Sequence, residues 1–266
     1  MQNIVWQPPP TDLTLGRDEV HVWRAPLDAP ALYLQRLRGT LTADEISRAE
    51  RFHFQRDRDR FIAGRGLLRA ILSRYLDIGP DEMRFGYGPY GKPELISATY
   101  TQPFLFNLSH SRDLALFAIA LDRRVGVDVE YIRPDVEFDA LATSFFSPGE
   151  QAVLRALIGR QKQEAFYNGW TRKEAFLKAR GDGVAYPLDQ FEVSLTPGEP
   201  AALLRTREDS QEAARWSLQA LTPGPGYVAA VAAEGYGWRV ACWEWPNQQL
   251  NRNHTGLGYQ KRSCYP

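Results

Sequence analysis

Three acidic side chains and one lysine, on two short segments, carry the chemistry this sequence can perform. Residues 125–130 read Val-Gly-Val-Asp-Val-Glu, and the two-residue period of a strand puts Asp128 and Glu130 on one face with the valines on the other. Like charges held side by side repel, and a divalent cation relieves the repulsion. Mg²⁺ suits such a pair because it takes one or two carboxylates together with waters and phosphate oxygens. A solvated acidic edge has the same pattern, so this strand alone does not decide. The second segment, residues 170–178, reads Trp-Thr-Arg-Lys-Glu-Ala-Phe-Leu-Lys. Helical spacing aligns Trp170, Glu174 and Lys178, and Glu174 would complete a three-carboxylate metal site with Asp128 and Glu130. An ordinary Glu–Lys pair beside a core tryptophan is the plainer reading of that spacing.

Two further segments suit phosphate. Residues 106–111, Phe-Asn-Leu-Ser-His-Ser, read as a strand running into a polar turn, where the Ser109 hydroxyl, backbone amides and the His110 imidazole would gather around an anion. A serine hydrolase is disfavoured, because adjacent Ser109 and His110 point apart and no G-x-S-x-G elbow occurs. Between residues 48 and 69, arginines at 48, 51, 56, 58, 60, 65 and 69 face only Glu50, Asp57 and Asp59, a local excess of four positive charges. Guanidinium forks match phosphate oxygens in pairs. Lys92, in Tyr-Gly-Lys-Pro, adds a cation on a glycine-flanked turn. The competing reading is a solvated basic face, since nothing there is shaped like an RNA-binding motif.

Positioning these groups takes a folded scaffold, and the chain supplies one: 266 residues, 44% hydrophobic and 12% aromatic, exclude a disordered protein. With 32 basic against 32 acidic residues there is no global field for nucleic acid or an anionic membrane. No stretch reaches the roughly 20 apolar residues of a membrane span, and the amino end lacks a secretory signal, so a cytoplasmic location is expected. Cys242 and Cys264 cannot build a disulfide framework, and without a CxxC pair structural zinc is not expected. The pattern predicts a strand at 19–23 and a helix over 28–38. A capping box at Thr42 and Glu45 opens a helix running to 75, with a break around 55–57. Glycines and prolines make 83–103 loops and turns. Strands are expected at 104–108, 114–121 and 125–131, the last two joined by a tight turn at 122–124. Ser147 and Glu150 form a second capping box, and a further helix runs from about 161 to Gly181. Strands at 191–195, 216–221, 227–232 and 238–245 follow, then a polar tail, 247–266, expected to be disordered. Helices and strands do not alternate regularly, so the class is α+β.

Taken in order, Tyr-Gly-Lys-Pro (90–93), Phe-Asn-Leu-Ser-His-Ser (106–111), Val-Gly-Val-Asp-Val-Glu (125–130) and Trp-Thr-Arg-Lys-Glu-Ala-Phe-Leu-Lys (170–178) resemble the 4′-phosphopantetheinyl transferases. The likeness is to the larger, monomeric type named for the surfactin-synthetase activator, and covers about residues 20–245. It implies two pseudo-symmetric α+β lobes, 1–123 and 124–246, with the active site in the cleft between them. It implies transfer of the phosphopantetheine arm of coenzyme A to a serine of an apo acyl or peptidyl carrier protein, with Mg²⁺ (Mn²⁺ as a substitute) and release of adenosine 3′,5′-bisphosphate. Carried over by position, Asp128, Glu130 and Glu174 would hold the metal and Lys178 the coenzyme A phosphates. Lys92, Ser109 and His110 would hold the 3′-phosphoadenosine end, with Arg48 and Arg65 at less sharply matched basic positions. Glu174, Lys178 and Asp128 would be the catalytic set, Glu174 accepting the serine proton directly or through water. The carrier is expected to dock near Phe145 and Phe146. Two rival readings are a carrier-binding module without catalysis and another Mg²⁺-dependent nucleotide phosphoryl transferase, the latter without a Walker or kinase glycine loop to support it.

Overall fold

The computed structural model describes residues 5–96, 103–133, 136–181, 183, 186–209 and 211–246. The first half begins with β1 (Glu19–Pro26) and three helices, α1 (Ala31–Arg38), α2 (Ala43–Glu50) and α3 (Gln55–Leu72). A short hairpin follows, β2 (Phe85–Tyr87) with β3 (Pro93–Leu95), then β4 (Phe104–Ser111) and β5 (Leu114–Leu121). The second half opens with β6 (Val125–Tyr131) and the helices α4 (Phe138–Phe145), α5 (Pro148–Ala156) and α6 (Gly159–Arg180). It ends with five strands: β7 (Phe191–Val193), β8 (Leu203–Thr206), β9 (Trp216–Leu221), β10 (Tyr227–Glu234) and β11 (Arg239–Glu244).

The strands form two principal sheets, ordered β11-β1-β5-β4 and β6-β10-β9, plus the pairs β2-β3 and β7-β8. The class is α+β, with small, mainly antiparallel sheets packed with helices, as the sequence predicts. Alternation decides what each face meets. Trp23, Ala115, Phe117, Ile119 and Phe106 on one side of the first sheet pack with Leu67, Leu68 and Ile71 of α3. Val20, Val22, Leu116 and Ala118 on the other side pack with Val125, Val127, Val129 and Val231 of the second sheet. The far face of the second sheet, with Ala230 and Ala232, packs with Ala175, Phe176 and Ala179 of α6. The order of layers is therefore helices, sheet, sheet, helix.

Several local expectations are corrected. The helix opened by Thr42 breaks at residues 51–54, ahead of Gln55, rather than within 55–57. The segment 83–103 contains the β2-β3 hairpin as well as turns. β4 continues through Ser111, so the expected polar turn is strand, and the reversal falls at Arg112 and Asp113 with Arg112 at φ 52°. Phe146 is 1% exposed and stacks on Phe166 in the core, which removes it from any docking surface, whereas Phe145 is exposed. β11 leaves the second half to pair in parallel with β1, Glu19 opposite Arg239. The expected tail, 247–266, lies outside the described residues.

Candidate active site

The site forms where β6 and α6 come unusually close. A Cβ on Gly126 would lie 2.8 Å from the backbone carbonyl carbon of Lys178 and closer still to Ala175 O and Ala179 N, so only glycine admits the helix at this depth. Positions 126, 128 and 130 share the face that the valines leave free. α6 is stopped by Gly181 at φ 91°, the left-handed cap that ends helices without steric cost. Glu174 and Lys178, one turn apart, ride on this helix over the strand.

Asp128 is 2% exposed. Its Oδ1 accepts hydrogen bonds from Lys178 Nζ at 2.5 Å and from Ser109 Oγ at 2.8 Å, and Lys178 Nζ also reaches Ser109 Oγ at 3.0 Å. The other oxygen, Oδ2, is buried without a hydrogen-bond partner. Ser111 Oγ donates to Glu130 Oε2 at 2.9 Å. Burial pushes the Glu130 and Glu174 carboxyls above their ordinary value, and the charge of Asp128 pushes both further; Ser111 and Lys178 oppose this at Glu130, Lys178 at Glu174. An acidic trio with an orphaned oxygen and raised carboxyls is short of positive charge, which is the donor chemistry of a hard divalent cation. Among the described residues no three acidic or imidazole side chains stand at ligating spacing. The fit is thus to a cation that brings waters and phosphate oxygens of its own, not to a closed protein cage.

Two clefts gather basic residues beside the carboxylates. One, of about 600 Å³, is lined by Tyr90, Lys92, Asn107, Glu174 and Lys178. Lys92 Nζ donates to Lys178 O at 2.7 Å and Val125 O at 3.2 Å, tying the β2-β3 turn to the ends of α6 and β6; burial pushes its amine down to about 8. The other cleft, of about 750 Å³, has Glu130 and Ser111 beside Arg56, Arg60, Arg112 and Arg133, with Phe166, Tyr167 and Trp170 on its wall. Sequence reasoning selected neither Arg112 nor Arg133, and from the basic run it selected Arg48 and Arg65 rather than Arg56 and Arg60. The available signal was position, since Arg112 follows the serine row and Arg133 follows Glu130 by three residues.

Arg65 is committed elsewhere: it pairs with buried Glu45 at 3.2 Å and donates to Tyr87 Oη at 2.5 Å, while Arg69 takes the other Glu45 oxygen at 2.6 Å. Glu45 at once caps α2 by accepting the Thr42 N–H at 3.0 Å and pairs with both arginines, one carboxylate against two guanidinium charges. Arg48 is exposed on α2, its guanidinium over Phe61 and Tyr87. Ser109 joins the acidic site, but His110 faces the opposite side of β4. Its ring is held below the ordinary imidazole value by the protein around it, then by the charges of Lys178 and Arg60.

Carboxylates flanked by two cation-lined clefts suit a protein that handles phosphate-bearing groups. Residues 124–232 match the 4′-phosphopantetheinyl transferase superfamily model, and residues 29–121 match the amino-terminal model of 4′-phosphopantetheinyl transferase. The chain is 48% identical over 240 residues to 4′-phosphopantetheinyl transferase HetI of Nostoc, covering 90% of this chain and 98% of that protein. It is 30% identical over 161 residues to 4′-phosphopantetheinyl transferase Sfp of Bacillus subtilis, covering 60% and 69% of the two chains. It is 41% identical over 124 residues to 4′-phosphopantetheinyl transferase AcpT of Escherichia coli O157:H7, covering 47% and 58%. The chain belongs to the 4′-phosphopantetheinyl transferase family and is an enzyme of that activity. No helix among the described residues is long and apolar enough to cross a membrane.

Proposed function

We propose that this enzyme moves the 4′-phosphopantetheine arm of coenzyme A onto a serine hydroxyl of an apo acyl or peptidyl carrier protein and releases adenosine 3′,5′-bisphosphate. The observation that carries the reading is the convergence of Asp128, Glu174 and Lys178 across the β6–α6 contact that Gly126 permits. The serine oxygen forms a bond to the phosphorus bearing pantetheine, the bond from that phosphorus to the bridging oxygen breaks, and the bisphosphate leaves. Glu174 accepts the serine proton, directly or through a water. Lys178 carries a positive charge toward the pyrophosphate, where charge builds on the leaving oxygen. Lys92 lies in the same cleft and is assigned to the 3′-phosphoadenosine end; Ser109 is held at Asp128, and His110, on the opposite face of β4, would meet that end only from the other side. Arg48 is assigned to its periphery. Arg65 supports this wall from behind through Glu45 and Tyr87.

Asp128, Glu130 and Glu174 would hold Mg²⁺, or Mn²⁺ in its place, which when bound neutralises the pyrophosphate. The lobes 1–123 and 124–246 meet at this site, and the enzyme is taken to act as a cytoplasmic monomer. The test incubates the protein with apo carrier protein, coenzyme A and Mg²⁺ and follows intact carrier mass. A gain of one phosphopantetheine, abolished by EDTA and by Asp128→Ala in a folded protein, is expected. A stable complex without mass gain would mark a binding module, and mass gain with full activity in EDTA would remove the metal.

A further inference from the structure

β4 and β6, one edge strand of each principal sheet, lie side by side, and a row of alternate β4 side chains faces β6. Asn107 Oδ1 accepts the Val127 N–H at 2.9 Å, and Ser111 Oγ accepts the Tyr131 N–H at 3.1 Å. Both pairs are 20 residues apart in the chain, so the strands run in the same direction in constant register. Between them Ser109 holds Asp128, and Ser111 also holds Glu130. On its other side β6 pairs with β10. We propose that Asn107 and Ser111 are positioning residues for phosphopantetheinyl transfer. Their side chains give the free edge of β6 the hydrogen bonds a neighbouring strand would give, and so fix where its carboxylates stand relative to the first sheet.

The physical ground is that a buried backbone donor must be satisfied, and an unpartnered edge slides readily. Asn107 is 6% exposed and Val127 is fully buried, so nothing but protein can serve that amide. Alternation is what makes the arrangement work. Odd-numbered β4 residues point at β6 while Phe106 and Leu108 anchor the same strand in the α3 core, so β6 is referenced to a rigid element. The row explains why polar residues occupy every second position at the end of an otherwise apolar strand. It also explains a small side chain at 111, where one hydroxyl accepts from Tyr131 and donates to Glu130. The proposal rests on the transfer function put forward above, and its test keeps the two apart.

Amide exchange in the wild type comes first: Val127 and Tyr131 are expected to be protected although no ladder covers that edge, with Val231 of β10 as the internal standard. In Asn107→Ala the Val127 amide should exchange at least about tenfold faster while Val231 is unchanged, and kcat should fall at least about tenfold with KM for coenzyme A within about twofold. Ser111→Ala should behave alike at Tyr131. Ser111→Thr, which keeps the hydroxyl and has cleft space for its methyl, should return kcat to within about threefold of wild type. If Asn107→Ala does not fold, the wild-type exchange and the Ser111 pair decide. Unprotected Val127 and Tyr131 amides in the wild type overturn the row, and unchanged kcat in Ser111→Ala and Asn107→Ala overturns the positioning role. A wild type with protected amides that fails to modify any apo carrier with coenzyme A refutes the transfer reading instead.

Discussion

Replacing Gly126 by alanine should separate the two halves of the site without touching any charged group. An ordinary Cβ contact begins at 3.4 Å, and the new methyl would sit 2.8 Å from the Lys178 carbonyl carbon, so the helix must lift by at least the 0.6 Å difference. All three obstructing atoms are backbone and cannot swing aside, and the other two are nearer, so the lift exceeds about 1 Å. Glu174 and Lys178 move with α6 and Asp128 stays on β6, which stretches the 2.5 Å Lys178–Asp128 pair beyond hydrogen-bond length. A misplacement of about 1 Å at reacting groups costs on the order of a hundredfold in rate. Overpacking of this kind costs about 1–3 kcal/mol of stability, at roughly 2–4 °C of Tm for each kcal/mol in a chain of this size. The assay is carrier modification under single-turnover conditions alongside a thermal melt. Wild-type rate and Tm together would refute the claim that this glycine sets the depth of α6.

Three further outcomes follow from the same geometry. In the metal-free protein burial and the Asp128 charge hold the Glu174 carboxyl above its ordinary value, so its side-chain carboxyl signal should titrate with a midpoint above 4.5 and the midpoint should fall when Mg²⁺ is added; a metal-free midpoint at or below 4.5, or one that Mg²⁺ leaves unmoved, contradicts the assignment. Lys173 is fully buried, with Nζ on Glu150 at 2.8 Å and on the carbonyls of Leu188 and Phe191 at 2.7 and 2.6 Å. Lys173→Met strands the Glu150 charge at about 3–5 kcal/mol and should lower Tm by about 10 °C, with Glu150→Gln added to it, which removes the charge and keeps an acceptor for the Ser147 or Val193 amide, recovering part of the loss; a melt within about 2 °C of wild type denies the pair any structural weight. Lys92→Ala should raise KM for coenzyme A with kcat within about threefold, and a pure loss of kcat would show that its two carbonyl contacts, rather than ligand, are its whole role.

The acidic strand and the helix facing it were legible in the sequence because both rest on local periodicity. The expected strands at 114–121, 125–131 and 216–221 coincide with β5, β6 and β9. α4 escaped notice because Glu137 at its amino end makes no side-chain cap and its apolar residues recur too briefly to mark a face. The β2-β3 hairpin escaped because three-residue strands built on Gly86 and Pro93 read as turns; distant partners hold it in place, Arg65 on Tyr87 and the carbonyls of Val125 and Lys178 on Lys92. That Asp128 and Glu130 share one face of a strand could be read from spacing, but their partners could not. That Ser111 serves Glu130 and that Arg65 serves Glu45 depends on strands and helices meeting after folding, for which no short-range pattern exists. Ser109 and His110 illustrate the limit: neighbours in a motif, they occupy opposite faces of one strand.

The parallel pairing of β1 with β11 has a consequence for how such an enzyme is made. The edge of β1 is closed by a strand 220 residues downstream, so the first sheet stays open on the ribosome until nearly the whole described chain has emerged. Until then β1 offers unpaired backbone groups to any other extended chain. A gene fragment encoding only the amino-terminal half would leave that edge bare and should aggregate unless β11 is supplied as a separate peptide. Halves of this protein are therefore poor units for recombination, and a split version is best cut so that β11 stays with β1.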